Sequence, residues 1–298
     1  MSLQIDDFFS IPIFVISFNR KDTLKKCIER YEKDGYKNII VIDNASTNND
    51  VLDYLKSIKH KVYFLEKNYG HHVLWLCGLF QDIILNQYYV LTDPDVVPIE
   101  ECPKNYVEVF YKILVQHPEK TKVGFALKLD DIPFSYKYKI PLTRYESFYW
   151  EKVISDDPVV YDAPLDTTFA LYRPGEIPEE SFFCGLRTGY PYVARHLGWY
   201  VNLDAASKKN KSYYNKNNMI STSSSDKSMK AFQYEVCARI YEIENDNFFC
   251  AVKSSIHNKF LLENTTYIQI IKLSIYLICK RIAIKLNMIK FIKKLLGR

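Results

Sequence analysis

Short apolar runs alternate with amphipathic segments along the first third of the chain. Four runs have the length and continuous apolar composition of strands buried on both faces: residues 11–18, 38–43, 62–65 and 88–91. Between them apolar residues recur at helical spacing and predict three helices: residues 22–35, 51–58 and 73–85. The alternation predicts an α/β fold, in which helices flank a mostly parallel, Rossmann-like sheet.

The pattern is less regular in the rest of the chain. It predicts a helix at 103–116, a strand at 123–129 and a late strand at 159–173, which carries Asp162 and Asp166. Residues 205–228 are polar and are typical of a flexible loop, either a lid that orders over a ligand or a plain linker. Helices are predicted again in the C-terminal region, 229–298.

Two carboxylates follow the fourth apolar run. Asp93 and Asp95 flank Pro94, which ends regular strand pairing because it lacks a backbone donor. Side chains two residues apart in extended chain point the same way, so both acids face one site at the carboxyl end of a buried strand. Two carboxylates there suit Mg²⁺ or Mn²⁺ carrying a diphosphate, although a solvated turn with two acids also fits the bare motif.

Charge is unevenly distributed over the 298 residues. The net charge is only +5, yet no acid follows Glu263 while lysines and arginines continue to Arg298. The near-neutral body, which has no known nucleic-acid motif, argues against a nucleic-acid partner.

The seven cysteines contain no C-x-x-C pair, which fits a reducing compartment and argues against a disulfide frame or a zinc site. The acidic, polar N-terminus is not a signal peptide.

The basic C-terminal tail, residues 265–297, predicts an interfacial helix. Its apolar residues gather on one helical side, and its cations would be attracted to an anionic membrane surface: Ile282, Leu286, Ile289, Ile292 and Leu296 form that side. Three cations between Thr265 and Ile284 disfavour a membrane-spanning helix. A packed dimerisation helix, and with it a homodimer, is the main alternative.

The order of these motifs resembles the nucleotide-binding half of GT-A glycosyltransferases, most closely the inverting family 2. The resemblance covers residues 11–130 and extends more loosely to about residue 200. Four features carry it: the loop 17–20 after the first strand, the D-N-x-S motif at 43–46, the N-x-G motif at 68–70, and the D-x-D motif at 93–95. It implies a GT-A domain at 1–204, a flexible loop or lid at 205–228 and a helical region with a basic tail at 229–298.

The resemblance also implies roles by position. Asp43 would accept a hydrogen bond from the nucleotide base, which fits recognition of uridine. Asp93 would contact the ribose or a metal-bound water, and Asp95 would bind the metal directly. His196 would close the metal or diphosphate site. The remaining residues expected to bind nucleotide are Phe18, Asn19, Arg20, Asn68, Gly70 and Arg195, with Arg187 as the alternative phosphate ligand. Plain alternatives exist: a helix cap for Asp43, turn chemistry for Asn68 and Gly70, and a core histidine for His196.

One departure from the family concerns the general base. Family 2 enzymes usually carry an E-D pair on a helix after the late strand, whereas residues 185–200 contain no acid. Asp166 is therefore the first candidate, followed by Asp162, Glu179 and Glu180, because an inverting enzyme needs a carboxylate near the acceptor hydroxyl.

The expected function is metal-dependent transfer of a sugar from a nucleotide donor, UDP-linked by resemblance, to a glycan or lipid-linked hydroxyl. The basic tail suggests a cytoplasmic enzyme, peripheral on the inner face of the cell membrane, in bacterial surface polysaccharide or lipooligosaccharide assembly. The missing E-D pair leaves a non-catalytic sugar-nucleotide-binding or scaffolding protein as the rival. The third candidate is a nucleotidyltransferase, but a glycine-rich phosphate loop typical of that class is absent.

Overall fold

A computed structural model describes residues 5–136, 139–177 and 181–200. The chain divides into two compact units, residues 1–137 with 146–213 and residues 138–145 with 214–298; of the second unit only 139–145 are described. The predicted loop 205–228, the region 229–298 with its basic tail, Glu179 and Glu180 all lie outside the described residues. Within the described residues, no helix is long and apolar enough to cross a bilayer.

The first half of the sheet follows the predicted alternation. Its strands are β1 (Ile13–Ser17), β2 (Ile39–Asp43), β3 (Lys61–Phe64) and β4 (Tyr89–Thr92). Its helices are α1 (Lys21–Asp34), α2 (Asn49–Ser57), α3 (Val73–Leu76) and α4 (Gln81–Asn86). The strands are parallel in the order β3-β2-β1-β4. Every residue of β1, β2 and β4 is buried, which is why these strands appear in the sequence as continuous apolar runs.

The second half of the sheet is mixed. Its strands are β5 (Val96–Pro98), β6 (Lys122–Leu127), β7 (Val153–Asp156), β8 (Val159–Tyr161), β9 (Ala170–Tyr172) and β10 (Gly185–His196). Its helices are α5 (Tyr106–Gln116) and α6 (Lys139–Ser147). β9 lies antiparallel between β4 and β6, while β6 and β10 are parallel. The GT-A sheet expected from the resemblance is confirmed.

Helices cover both faces of this sheet with aromatic contacts. On one face the Phe14 ring of β1 lies 4.8 Å from the Phe80 ring, just before α4. On the other face Tyr31 of α1 packs against Phe169 at 5.2 Å, and Phe110 of α5 packs against Phe125 of β6 at 4.9 Å. These contacts belong to two apolar layers, one on each side of the sheet, as the alternation of side chains across a pleated sheet requires.

Two predicted elements are wrong in detail. The helix predicted at 73–85 is two short helices, because Gly78 adopts a φ of +73° that no right-handed helix contains. The late strand predicted at 159–173 is β8 and β9, joined by an irregular connection at residues 162–169. This connection, called the 162–169 loop below, carries Asp166. Residues 185–196, the stretch matched to the family's E-D helix, form β10.

Candidate active site

The carboxyl ends of three adjacent parallel strands bring the predicted donor-site residues to one sheet edge. Asp43 is the last residue of β2 and lies opposite Ser17, the last residue of β1. Asp93 follows directly after β4, which pairs with β1 on its other side. This is the edge at which open α/β sheets bind ligands.

Asp43 is a buried carboxylate with spare hydrogen-bonding capacity. It is 1% exposed, and its Oδ2 accepts a hydrogen bond from the Ser46 amide at 3.1 Å. Its Oδ1 has no hydrogen-bond partner among the described residues. Burial raises the pKa of Asp43, an effect that Ser46 and Ser17 partly offset. A ligand N–H donated to Oδ1 would complete this site and favour the ionised form.

The asparagines around Asp43 shape the loops of the predicted nucleotide site. Asn19, at a φ of +55°, accepts hydrogen bonds from the amides of Thr47 and Asn48, both at 2.9 Å. Asn44 donates to the Gly70 carbonyl at 2.9 Å and accepts from the Tyr69 amide at 2.8 Å.

The N-x-G motif forms a turn of its own beside these loops. Asn68 accepts from the Gly70 amide at 2.7 Å, in a turn where Gly70 has a φ of +72°. Asn19, Asn68 and Gly70 therefore have loop-forming roles in this structure, and their contact with a nucleotide stays a prediction. Phe18 is half-buried at the end of β1.

The D-x-D turn joins β4 to β5, with Asp95 buried and Asp93 half-buried. Asp95 is 1% exposed, and the Arg20 guanidinium binds its Oδ2 at 2.6 Å. The Thr167 hydroxyl donates to Asp93 Oδ2 at 2.9 Å, which ties the 162–169 loop to the turn. Burial, reinforced by Asp166 and Asp95, raises the pKa of Asp93 well above its ordinary value. A cation bound nearby would lower the pKa of a carboxyl group such as Asp93 and so stabilise its ionised form.

An unsatisfied carboxylate oxygen and a nearby imidazole nitrogen suit a divalent metal beside Asp95. Asp95 Oδ1 has no hydrogen-bond partner among the described residues, and His196 Nε2 lies 3.6 Å from it. Ligands of one metal ion at bond lengths of about 2.1 Å stand roughly 3 to 3.5 Å apart, so this pair is close to a bridging geometry. The described residues contain no group of three His, Cys, Asp or Glu side chains arranged to hold a metal. The donor set fits Mn²⁺ or Mg²⁺ if a diphosphate supplies further oxygens.

The two arginines predicted to contact phosphate each bind a carboxylate of the protein in this structure, and their contact with phosphate stays a prediction. Arg195 binds Asp131 through Nε at 2.7 Å and Nη2 at 2.6 Å, and it neighbours His196 on a strand whose side chains alternate between faces. Arg187 is buried; its Nη1 donates to Glu146 Oε2 at 3.0 Å and its Nε to the Pro164 carbonyl at 2.8 Å. Neither placement supports the predicted phosphate contact.

Asp166 reaches the same region from the 162–169 loop. Its Oδ1 accepts hydrogen bonds from the amide and the hydroxyl of Thr168, at 2.9 and 2.6 Å. The Asp166 side chain is exposed to solvent. Partial desolvation by the surrounding protein would raise its pKa, but the Thr168 bonds and the charges of Arg187 and Lys122 leave it below its ordinary value. Asp166 and Asp93 thus form an interacting pair whose pKa values shift in opposite directions, a pattern that separates acid from base roles.

The other carboxylates that could act as general base lie in different electrostatic environments. Asp162 is bound by both Lys120 and Lys152, so its carboxylate is already neutralised by two cations. Glu146 was not predicted, yet it is buried and interacts electrostatically with Asp166 and His196. Burial raises the pKa of Glu146, although Arg187 opposes the shift. No local pattern distinguishes Glu146 in the sequence, because its partners lie on distant strands.

Known proteins resemble this chain in sequence and in fold. The model for "Glycosyl transferase family 2" matches residues 13–154. An uncharacterized protein, L137 of Acanthamoeba polyphaga mimivirus, is 26% identical over 200 residues, which cover 63% of this chain and 26% of that protein. The chain therefore spans about a quarter of the length of this curated relative.

Two solved structures are similar at low identity. The mannosyltransferase PcManGT from Pyrobaculum calidifontis, in complex with GDP-Man and Mn²⁺, matches with a TM-score of 0.42 and 11% identity, over 92% of this chain and 75% of its own. A mycobacterial protein matches with a TM-score of 0.37 and 14% identity, over 63% of this chain and 67% of its own. Residues 13–154 are thus similar to glycosyltransferase family 2, and the mostly parallel sheet flanked by helices has the arrangement of the GT-A fold.

Proposed function

We propose that the protein transfers a sugar from a nucleotide-diphosphate donor, a UDP-sugar, to a hydroxyl of a glycan or glycolipid, with inversion at the anomeric carbon. The observation that carries this proposal is the set of carboxylates at one sheet edge, the buried Asp43 and Asp95 and the half-buried Asp93, which Asp166 approaches from the 162–169 loop. Unsatisfied carboxylate oxygens on Asp43 and Asp95 are the positions where a ligand would complete the structure.

The base and the diphosphate would occupy opposite ends of this edge. Asp43 Oδ1 would accept the N3–H of uracil, a donor that cytosine lacks, and Phe18 would line the base pocket. Asp95 and His196 would bind Mn²⁺ or Mg²⁺ directly and Asp93 would act through a metal-bound water; the metal would stabilise the negative charge developing on the departing diphosphate. Arg20, already bound to Asp95, brings a further positive charge to this end.

Asp166 is the proposed general base. Its carboxylate would take the proton of the acceptor hydroxyl while that oxygen forms a bond to the anomeric carbon. The bond from the anomeric carbon to the phosphate oxygen breaks, and its electron pair leaves on UDP. The lowered pKa of Asp166 supports this role, because the base must be ionised at neutral pH.

The acceptor and the cellular location rest on sequence alone. The basic, apolar residues 265–297 would bind an anionic membrane surface and present the domain to a lipid-linked acceptor at the cytoplasmic face. A role in bacterial surface polysaccharide or lipooligosaccharide assembly follows by analogy with enzymes of this kind.

Donor turnover tests the proposal. The full chain is incubated with Mn²⁺ and a panel of UDP-sugars, with GDP-mannose as a comparison, and release of the nucleoside diphosphate is measured with water as acceptor. We expect release from a UDP-sugar, a loss on the order of 100-fold in Asp166→Asn, and native rates in the exposed control Asp53→Ala. Binding of UDP without any turnover would instead favour the non-catalytic sugar-nucleotide-binding protein.

A further inference from the structure

Lys122 is a fully buried lysine at the start of β6. Its ammonium donates to the Asp166 carbonyl at 2.8 Å and to the Tyr172 hydroxyl at 3.1 Å. It also lies over the Tyr172 and Phe182 rings, at 4.7 and 4.2 Å from their centroids. All of these partners are neutral, and burying an ammonium among neutral groups costs free energy. A buried lysine with this cost points to a role beyond filling the core.

A second buried cation holds the same loop from the neighbouring strand. Arg187 of β10, opposite Gly124 of β6, donates to the Pro164 carbonyl at 2.8 Å. Two adjacent strands thus each send one cation to a carbonyl of the 162–169 loop. The loop also approaches the sheet closely: a Cβ on Gly185 would lie 2.9 Å from the Leu165 Cβ and 3.3 Å from the Lys122 Cγ.

Three successive loop residues are anchored at different points. The Asp166 carbonyl accepts from Lys122 and also from the Tyr172 hydroxyl at 3.0 Å. The Thr167 hydroxyl is bound to Asp93, and Thr168 holds the Asp166 carboxylate. Lys122 and Tyr172, on the adjacent strands β6 and β9, therefore tie this part of the loop to the centre of the sheet, and Lys122 is the charged member of the pair.

We propose that Lys122 is a positioning residue for the transfer reaction, which fixes the 162–169 loop so that the Asp166 carboxylate stays aimed at the acceptor hydroxyl. This inference rests on the proposed function, because it takes Asp166 as the general base. Lys122 acts through Asp166 and does not touch the substrate. Displacement of a catalytic group by about 1 Å can cost on the order of 100-fold in rate, so loss of this contact has a measurable consequence.

A double-mutant cycle tests the proposal in the full chain. Lys122→Met keeps the length of the side chain without its charge, Lys112→Met is the exposed control, and both are measured with the UDP-sugar that releases UDP fastest. We expect Lys122→Met to lower kcat by roughly 10- to 100-fold with an unchanged KM for the donor. In the Asp166→Asn background the same substitution should lower kcat no further, because the group it positions is gone.

Hydrogen exchange provides a readout independent of turnover. Lys122→Met should speed exchange of the amides of residues 162–169 and leave those of β2 unchanged. Lys122→Leu serves as the second variant, and melting temperature verifies folding of each.

The results that would overturn the role of Lys122 differ from the result that would overturn the proposed function. Native kcat in Lys122→Met, an equal fall in both backgrounds, or unchanged exchange in the loop would overturn the positioning role while leaving an impaired Asp166→Asn intact. Full turnover by Asp166→Asn itself would overturn the proposed function together with this inference.

Discussion

The burial of Lys122 predicts a pH dependence of folding stability that can be measured without any substrate. Burial lowers the pKa of its ammonium from the ordinary value of 10.5 to about 7, although Asp166 opposes the shift. Between these two values the unfolded chain binds a proton that the folded chain has released. The native state therefore gains stability as pH rises from about 7 towards 10.

The size of the effect follows from the two pKa values. Linkage contributes about 1.4 kcal/mol per pH unit wherever the unfolded state binds one more proton. Integrated from about pH 6 to about pH 9, the gain is about 2 to 3 kcal/mol, which corresponds to roughly 5 to 10 °C in melting temperature. Lys122→Met removes the titrating group, so its stability relative to the native protein should be greatest at pH 6 and fall by that amount at pH 9.

The assay is a series of thermal or urea melts of both proteins across this pH range. Only the difference between the two proteins is used, because the other titrating groups cancel. Lys112→Met, on the exposed side of α5, should track the native protein at every pH. A Lys122→Met difference that stays constant from pH 6 to pH 9 would refute the conclusion that Lys122 is a desolvated ammonium.

Three further predictions use single substitutions. Asp43→Asn should weaken UDP binding by about 10-fold in calorimetry and improve CDP relative to UDP, because an amide can donate to the cytosine acceptor; an unchanged ratio would remove Asp43 from the base pocket. Gly78→Ala should destabilise by about 1 to 2 kcal/mol from backbone strain alone, since no atom lies within 4 Å of the added Cβ; an unchanged urea midpoint would contradict this. Arg187→Met should destabilise by about 3 to 5 kcal/mol in urea melts, because it leaves the Glu146 carboxylate buried without its cation; Arg187→Met with Glu146→Gln should recover part of the loss.

The first half of the fold could be predicted because local patterns decide it. Strands such as β1 and β2 are buried on both faces, so they appear as continuous apolar runs, and Gly35 ends α1 in a left-handed conformation. The break at Gly78 could not be predicted, because a lone glycine in a helical pattern is compatible with a continuous helix. The division of residues 159–173 into two strands could not be predicted either, because β8 pairs with β10 and β9 pairs with β4, which are distant in sequence.

The grouping of the three predicted donor-site acids at one sheet edge could be predicted from the sequence for a similar reason. Asp43, Asp93 and Asp95 each end or follow an apolar run, so strand periodicity places them at one edge. The surroundings of Asp166 could not be predicted, because they are built by long-range packing. Lys122 meets Asp166 from 44 residues away, and Arg187 meets Glu146 from 41. Nothing beside Lys122 or Glu146 in the chain marks either of them as part of a site.

The central claim is that a UDP–metal complex binds at the edge formed by Asp43, Asp93 and Asp95. Calorimetric titration of UDP, with GDP and CDP as controls, in the presence and absence of Mn²⁺, tests this most directly. The native protein should bind UDP tightly only with Mn²⁺, Asp95→Ala should lose the metal-dependent part, and Asp53→Ala should match the native protein. Binding of no nucleotide in a metal-dependent way, or native UDP affinity in Asp95→Ala, would contradict the assignment of the D-x-D turn.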